Sequence, residues 1–166
     1  MPSLEEIKKI SPKTLLKIIQ RGKDFLKKNE VMQEICDKYD FDIEDLDLIP
    51  VKFDDIDVSA KTDKGVVTLN FRLLEDGDFF KDFGYLVHEF GHHIQQSKEP
   101  TQSADDGDYL LNPSEQEAFQ YQIKFIDNQF GEEEAKDYVE QVLDHHEIDN
   151  KKERNHKENI LMKLVE

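Results

Sequence analysis

The chain has 166 residues, of which 38 are acidic and 22 are basic, so its formal net charge is −16. The length fits one domain. The acidic excess argues against unaided binding to nucleic acid or anionic membranes, which need clustered Lys and Arg. No apolar run is long enough for a transmembrane helix, and the first residues lack the apolar centre of a signal peptide. The single cysteine, Cys36, excludes an internal disulfide framework. We therefore expect a cytoplasmic protein without nucleic-acid or membrane partners.

Residues 1–40 predict helices. Ser3 and Glu6 form a capping-box pattern ahead of an apolar-periodic stretch. Ser11-Pro12 has the pattern of an N-cap followed by proline at the first helical position. Apolar residues then recur at helical spacing as far as Tyr39. This part of the chain is therefore expected to be a helical N-terminal region.

Residues 41–75 predict a small, mostly antiparallel sheet. Leu48–Phe53 and Ile56–Ala60 are short segments that partly alternate between apolar and polar residues. Gly65–Leu74 has the clearest alternation and is the strongest strand prediction. Asp63-Lys64-Gly65 just before it predicts a hairpin turn.

Helical patterns return in the second half of the chain, over residues 78–97, 112–130 and 132–147. Gly131 is expected to end the second of these helices. The polar loop over residues 98–112 is long for a compact domain, which favours a functional role for it. The tail is heavily charged from Asp149 onwards, and a short amphipathic helix is expected around its last apolar residues, Ile160, Leu161, Leu164 and Val165.

The segment His88-Glu89-Phe90-Gly91-His92 has the pattern HExxH. On a helix, two histidines four positions apart share one face, so both can bind one Zn²⁺ while the intervening Glu acts as a base. A helical wheel at about 100° per residue places His88 and His92 opposite the apolar stripe, facing a cleft, with Glu89 beside them. That stripe consists of Phe83, Leu86, Val87, Phe90 and Ile94.

A zinc hydrolase needs a third protein ligand and an open fourth position for water. The extended pattern HExxHxxGxxH is excluded, because Gln95 and Lys98 stand where it needs Gly and His. A carboxylate from the next helix remains, and periodicity places Glu115 at the centre of its apolar face and Glu117 on its solvent face. A buried acid is costly unless it is paired or metal-bound. This favours Glu115 over Glu117, although Glu115 would also suit the helix N-terminus as a cap.

With HEFGHHIQ followed by NPSEQEAF, the chain resembles the gluzincin-type zinc metallopeptidases, and in size and motif spacing the minigluzincins and ImmA/IrrE-like metallopeptidases. The resemblance implies one α+β, zincin-like domain over 1–166. Its parts would be the helical region 1–40, a catalytic core over 41–130 and C-terminal helices over 131–166. It also implies Zn²⁺ held by His88, His92 and Glu115, with Glu89 as catalytic base in the hydrolysis of a peptide or protein substrate.

Two features of the resembled proteins bear on the site. Many carry Asp or Asn directly after the Ala of E-x-x-A to support a metal-binding histidine, and this chain has Phe119 there. Either another residue supports the histidine or the metal is held less well. The strand before the active helix, here Gly65–Leu74, pairs at a sheet edge with extended substrate in the resembled fold.

The resembled proteins also often use a His or Tyr to stabilise the oxyanion. The candidates for this role here are His146, His145 and Tyr109.

Two other interpretations stay open. The chain could be a zinc-binding interaction module with weak or no turnover, which the missing carboxylate at Phe119 favours. Glu89 favours an enzyme, because a structural site has no need of a base. A zinc amidohydrolase acting on non-peptide amides would use the same residues and differ only in substrate. The sequence leaves the natural substrate, latency and oligomeric state undetermined.

Overall fold

The structure is a computed structural model, and it describes residues 3–75, 82–98 and 112–165. In these ranges the protein is α+β, mostly helical, with one small three-stranded sheet. The chain divides into two compact units, residues 1–100 and 101–166. None of the helices in the described ranges combines the length and apolar character that crossing a bilayer requires. The single zincin-like domain stays a prediction.

The first unit begins with helices whose ends follow the predicted capping signals. The Ser3 hydroxyl accepts the backbone N–H of Glu6, and the Ser11 hydroxyl accepts that of Thr14, each at 3.2 Å. Pro12 occupies the first turn of the second helix, as expected. The predicted helical N-terminal region is therefore confirmed, and its helices are α1 (Leu4–Lys8), α2 (Pro12–Lys27) and α3 (Glu30–Lys38).

The sheet of the first unit is mixed rather than mostly antiparallel. A 3₁₀ turn precedes three strands, β1 (Val51–Asp54), β2 (Ala60–Asp63) and β3 (Val66–Asn70). Their order is β1-β3-β2, with β3 parallel to β1 and antiparallel to β2. The chain leaves β1, forms β2 at the far edge and returns through a hairpin into the centre. The expectation of a substrate-binding edge in Gly65–Leu74 is therefore wrong, because β3 has a partner on both sides.

Asn70 explains where the strand predictions fail. Its Nδ2 donates to the backbone carbonyls of Ile56 and Val58 at 2.8 and 2.9 Å. Its Oδ1 accepts the backbone N–H two residues further on, at 2.9 Å, and so caps a 3₁₀ turn. The strand predicted to run to Leu74 therefore ends at Asn70. The segment predicted as a strand before Ala60 is held instead as a loop.

The hairpin between β2 and β3 has the predicted turn. The backbone angle φ is 52° at Lys64 and 79° at Gly65. Two consecutive positive φ values are the requirement of the type I′ turn, which matches the twist of the flanking strands. Glycine adopts such a conformation freely, whereas other L-residues are strained in it.

The next helix, α4 (Phe83–Lys98), carries the HExxH pattern and lies against α2, α3, β2 and β3. The first part of the helix predicted over 78–97 falls outside the described residues. The apolar stripe predicted from the helical wheel is buried throughout, with at most 4% exposure for Phe83, Leu86, Val87, Phe90 and Ile94. The stripe prediction is therefore confirmed.

The second unit consists, in its described part, of α5 (Pro113–Phe130), α6 (Glu132–His145) and α7 (Lys151–Leu161), which pack on one another. Gly131, with φ of 102°, separates α5 from α6 as predicted. Their shared core is formed by Phe119, Ile123, Ala135, Val139, Val142, Leu143, Ile148 and Leu161.

The C-terminal helix differs most from its prediction. It spans the charged part of the tail instead of beginning near Ile160. The Asn150 side chain starts it by accepting the backbone N–H of Glu153 at 3.1 Å. Arg154 then donates to the backbone carbonyl of Ile148 at 2.7 Å and to the carboxylate of Asp144 at 3.0 Å. Capping and charge pairing therefore supply what the sparse apolar pattern lacks.

The turn of the β2–β3 hairpin gives a first testable prediction. We expect Gly65→Ala to destabilise the fold by about 1–2 kcal/mol, because an L-residue is strained in the left-handed region. An added methyl group would lie 3.9 Å from His93, an ordinary contact, so strain rather than collision is the cause. Lys64→Gly, which relieves strain at the neighbouring position, should leave Tm unchanged or raised. Thermal unfolding followed by circular dichroism tests this, and an equal fall in Tm for both variants would contradict it.

Candidate metal centre

His88 and His92 lie one turn apart on α4 with their ring nitrogens facing each other. Their Nε2 atoms are 3.2 Å apart, and the ring planes meet at 74°. Two nitrogens bound to one tetrahedral Zn²⁺ at 2.0–2.1 Å would be separated by about 3.3–3.4 Å. The pair therefore already has the spacing that a shared ion requires. Each side chain is only 5% exposed, so the two lie in a more buried setting than the cleft face that the wheel suggests.

The ring of His92 is held on its other side by Gln95. The Nδ1 atom of His92 lies 3.0 Å from Oε1 of Gln95, and Gln95 is 2% exposed. An amide oxygen only accepts hydrogen bonds, so Nδ1 carries the proton in this contact. The Nε2 atom then keeps its lone pair, and this is the atom that faces His88.

Glu115 occupies the first turn of α5 and is buried, with 2% exposure. The Asn112 side chain caps this turn by accepting the backbone N–H groups of Ser114 at 2.9 Å and Glu115 at 3.3 Å. A carboxylate is favoured near a helix N-terminus because of the helix dipole. Glu117, two positions further on, is half-buried. The difference in burial agrees with the face assignment made from periodicity.

His88, His92 and Glu115 form a buried group whose candidate ligand atoms all lie within 4.8 Å of one another. Ligand atoms of a tetrahedral zinc ion lie about 3.4 Å apart, so the three side chains would need only small movements to share one ion. Two imidazoles and one carboxylate are also a donor set of catalytic zinc sites. The group could therefore bind a metal ion, and its carboxylate is Glu115 rather than Glu117. Metal binding itself, and the choice of zinc, stay predictions.

Glu89 is buried beside His88 in the sequence, with 6% exposure. The Thr62 hydroxyl lies 2.9 Å from Oε1 of Glu89 and 3.2 Å from its backbone carbonyl oxygen, so it can donate to either. A buried carboxylate is costly without such a donor. Thr62 is absent from the predicted site residues because the strand was expected over Ile56–Ala60, whereas β2 spans Ala60–Asp63. Only the position of β2 against α4 brings the hydroxyl to the helix.

Among the described residues, the group of His88, His92 and Glu115 includes neither His145 nor His146, which were candidates for stabilising the oxyanion. His145 is exposed near the end of α6, and His146 is half-buried just beyond it, with the ring centroids 5.2 Å apart. Tyr109 lies outside the described residues. The roles of these three in oxyanion stabilisation stay predictions. Cys36 is buried, and burial raises the pKa of its thiol to about 12, so it stays protonated and is a poor metal ligand.

Comparisons with known proteins add no family to this description. No protein-family model, curated protein or solved structure matches the chain. The resemblance to the gluzincin-type metallopeptidases therefore stays a prediction based on the two sequence motifs.

The candidate group predicts a defined metal content. Protein stripped with EDTA, offered excess Zn²⁺ and dialysed should retain about one ion per chain, as a three-ligand zinc site would. His88→Ala and Glu115→Gln should lose most of it, because each removes one ligand, whereas Glu117→Gln should keep it. Elemental analysis gives the content, with circular dichroism to verify folding. If Glu115→Gln retained zinc and Glu117→Gln lost it, the assignment of Glu115 as the third ligand would be wrong.

Proposed function

We propose that the protein is a zinc metallopeptidase of the gluzincin type, acting on a peptide or protein substrate. The observation that supports this most is the buried group of His88, His92 and Glu115, with a fourth ionisable side chain, Glu89, in the same helical turn. Catalytic zinc sites use three protein ligands and leave a position for water, whereas structural sites use four. A set of three ligands with a carboxylate base next to one of them therefore fits hydrolysis better than a structural role.

The proposed chemistry divides between the ion and the chain. A zinc ion bound here would lower the pKa of its water to about 7 and polarise the substrate carbonyl. Glu89 would accept the proton of the attacking water on its carboxylate and deliver it to the leaving amine. The hydrogen bond from Thr62 holds one oxygen of this carboxylate in place, and the other oxygen would then take the proton of the water.

A zinc-binding interaction module is the second candidate. The burial of both histidines favours it, because a structural site is closed to water. The buried Glu89 favours the enzyme, since a buried carboxylate without a function is a cost to the fold. The amidohydrolase differs from the peptidase in substrate alone. We also propose a cytoplasmic location for the peptidase, as expected from the sequence.

Replacing the proposed base separates the enzyme from the module. Glu89→Gln should retain zinc and lose about 10²–10⁴-fold in kcat, the usual contribution of general acid–base catalysis. Cleavage of casein and of a peptide library, with zinc content measured on the same samples, tests this. EDTA should abolish wild-type cleavage and zinc should restore it.

Zinc-loaded wild type without Glu89-dependent cleavage of any peptide would favour the module. Cleavage of small amides but not peptides would favour the amidohydrolase. Full activity in zinc-loaded Glu89→Gln would show that another group acts as the base.

The hydroxyl of Thr62 should matter for turnover but not for zinc. Thr62→Val keeps the shape of the side chain and removes the donor. We expect kcat to fall about 10- to 100-fold, because a hydrogen bond to a charged group contributes about 1.5–3 kcal/mol. Thr62→Ser restores the hydroxyl and should recover most of the loss. Steady-state kinetics on zinc-loaded protein tests the pair, and equal activity in Thr62→Val and wild type would contradict the assignment.

A further inference from the structure

We infer that Gln95 is the positioning residue for the metal-binding ring of His92, the part that Asp or Asn after the E-x-x-A motif plays in the resembled proteins. The inference rests on the proposed metal centre and adds to it a residue whose effect is measured as metal affinity. Gln95 lies three positions after His92 on α4, where side chains on a helix are neighbours. The supporting group therefore comes from the same helix as the ligand.

The geometry and burial of the contact between Gln95 and His92 suit a positioning role. The 3.0 Å distance from Nδ1 to Oε1 is that of a normal hydrogen bond. Both side chains are buried, with 2% and 5% exposure, so solvent does not compete for the bond. Burying a glutamine costs free energy unless its polar atoms find partners. The amide therefore holds the ring in one orientation as well as in one tautomer.

That tautomer is the one metal binding needs. With the proton on Nδ1, the lone pair of His92 is on Nε2, which lies 3.2 Å from Nε2 of His88. A partner of this kind fixes the orientation of the ring, and removing such partners costs about 10–100-fold in affinity in known metal sites. The amide is neutral, so it orients the ring without adding a negative charge beside the ion.

The position after the E-x-x-A motif has a different use in this chain. Phe119 is 6% exposed and belongs to the apolar core shared by α5, α6 and α7, together with Ile123 and Val139. A carboxylate there would be buried in an apolar cluster at a cost. Packing therefore accounts for Phe119, and Gln95 supplies the hydrogen bond that the motif position lacks.

Two replacements of Gln95, each with a matched control, test the inference. Gln95→Leu removes the acceptor, and zinc affinity measured by competition with a chromophoric chelator should fall about 10- to 100-fold. Gln95→Glu keeps an acceptor and should bind zinc at least as tightly as wild type. Gln96→Leu and Gln96→Glu, at the half-buried neighbouring position, control for general effects on the helix and its charge and should leave the affinity unchanged.

A second measurement reports the tautomer without metal or turnover. In ¹⁵N NMR spectra of metal-free wild type, His92 should show a protonated Nδ1 and an unprotonated Nε2, and Gln95→Leu should lose this preference. The opposite tautomer in wild type would overturn the inference even if Gln95→Leu failed to fold.

The outcomes also separate the inference from the proposed function. Wild type without zinc affinity would remove the metal centre and the inference with it. Zinc bound equally by wild type and Gln95→Leu would overturn the role of Gln95 and leave the metal centre intact. Equal weakening by Gln95→Leu and Gln95→Glu, with unchanged control variants, would show that position 95 needs the amide NH2 group rather than an acceptor, and it would overturn the inference.

Discussion

A helix that buries two imidazoles and a carboxylate among apolar residues must provide them with hydrogen-bond partners, because an unpaired buried polar group costs several kcal/mol. On α4 these partners lie within hydrogen-bond distance. The two histidines face each other, Gln95 holds one of them and Thr62 reaches Glu89. Core packing of the opposite stripe fixes the helix, and the polar contacts then fix the side chains. The chemistry proposed for the protein depends on both.

The sheet contributes to this arrangement through its topology. The hairpin turn at Lys64 and Gly65 returns the chain into the centre of the sheet, so that β2 becomes an edge strand lying against α4. Thr62 then points its hydroxyl at Glu89. The support of the proposed base is therefore built from residues about 27 positions away in sequence.

Local signals predicted the helices of the N-terminal region and the helices α4, α5 and α6, and they also indicated the three residues of the candidate metal-binding group. Helix ends are predictable from capping residues, because capping acts within a few residues of the chain. The examples here are Ser3, Ser11 and Gly131. The spacing of His88 and His92 and the apolar face around Glu115 follow from helix geometry alone. Gln95 was also within reach of this logic, since a residue three positions from a histidine is its neighbour on a helix.

The failures lie where the deciding contact is distant in sequence. Nothing local indicates that β3 enters between β1 and β2, or that Asn70 holds the carbonyls of Ile56 and Val58 and so ends its own strand. The bounds predicted for the C-terminal helix were wrong for another reason, because an Asn150 cap and the contacts of Arg154 replace an apolar pattern in α7.

The buried thiol of Cys36 has a practical consequence. A thiol with a pKa of about 12 has almost no thiolate at neutral pH, and the thiolate is the species that alkylating and oxidising reagents attack. Its side chain is fully buried, so such reagents reach it when the structure around it opens. The rate at which a thiol reagent labels the folded protein therefore counts opening events in the first unit, and the chain contains its own reporter of local unfolding.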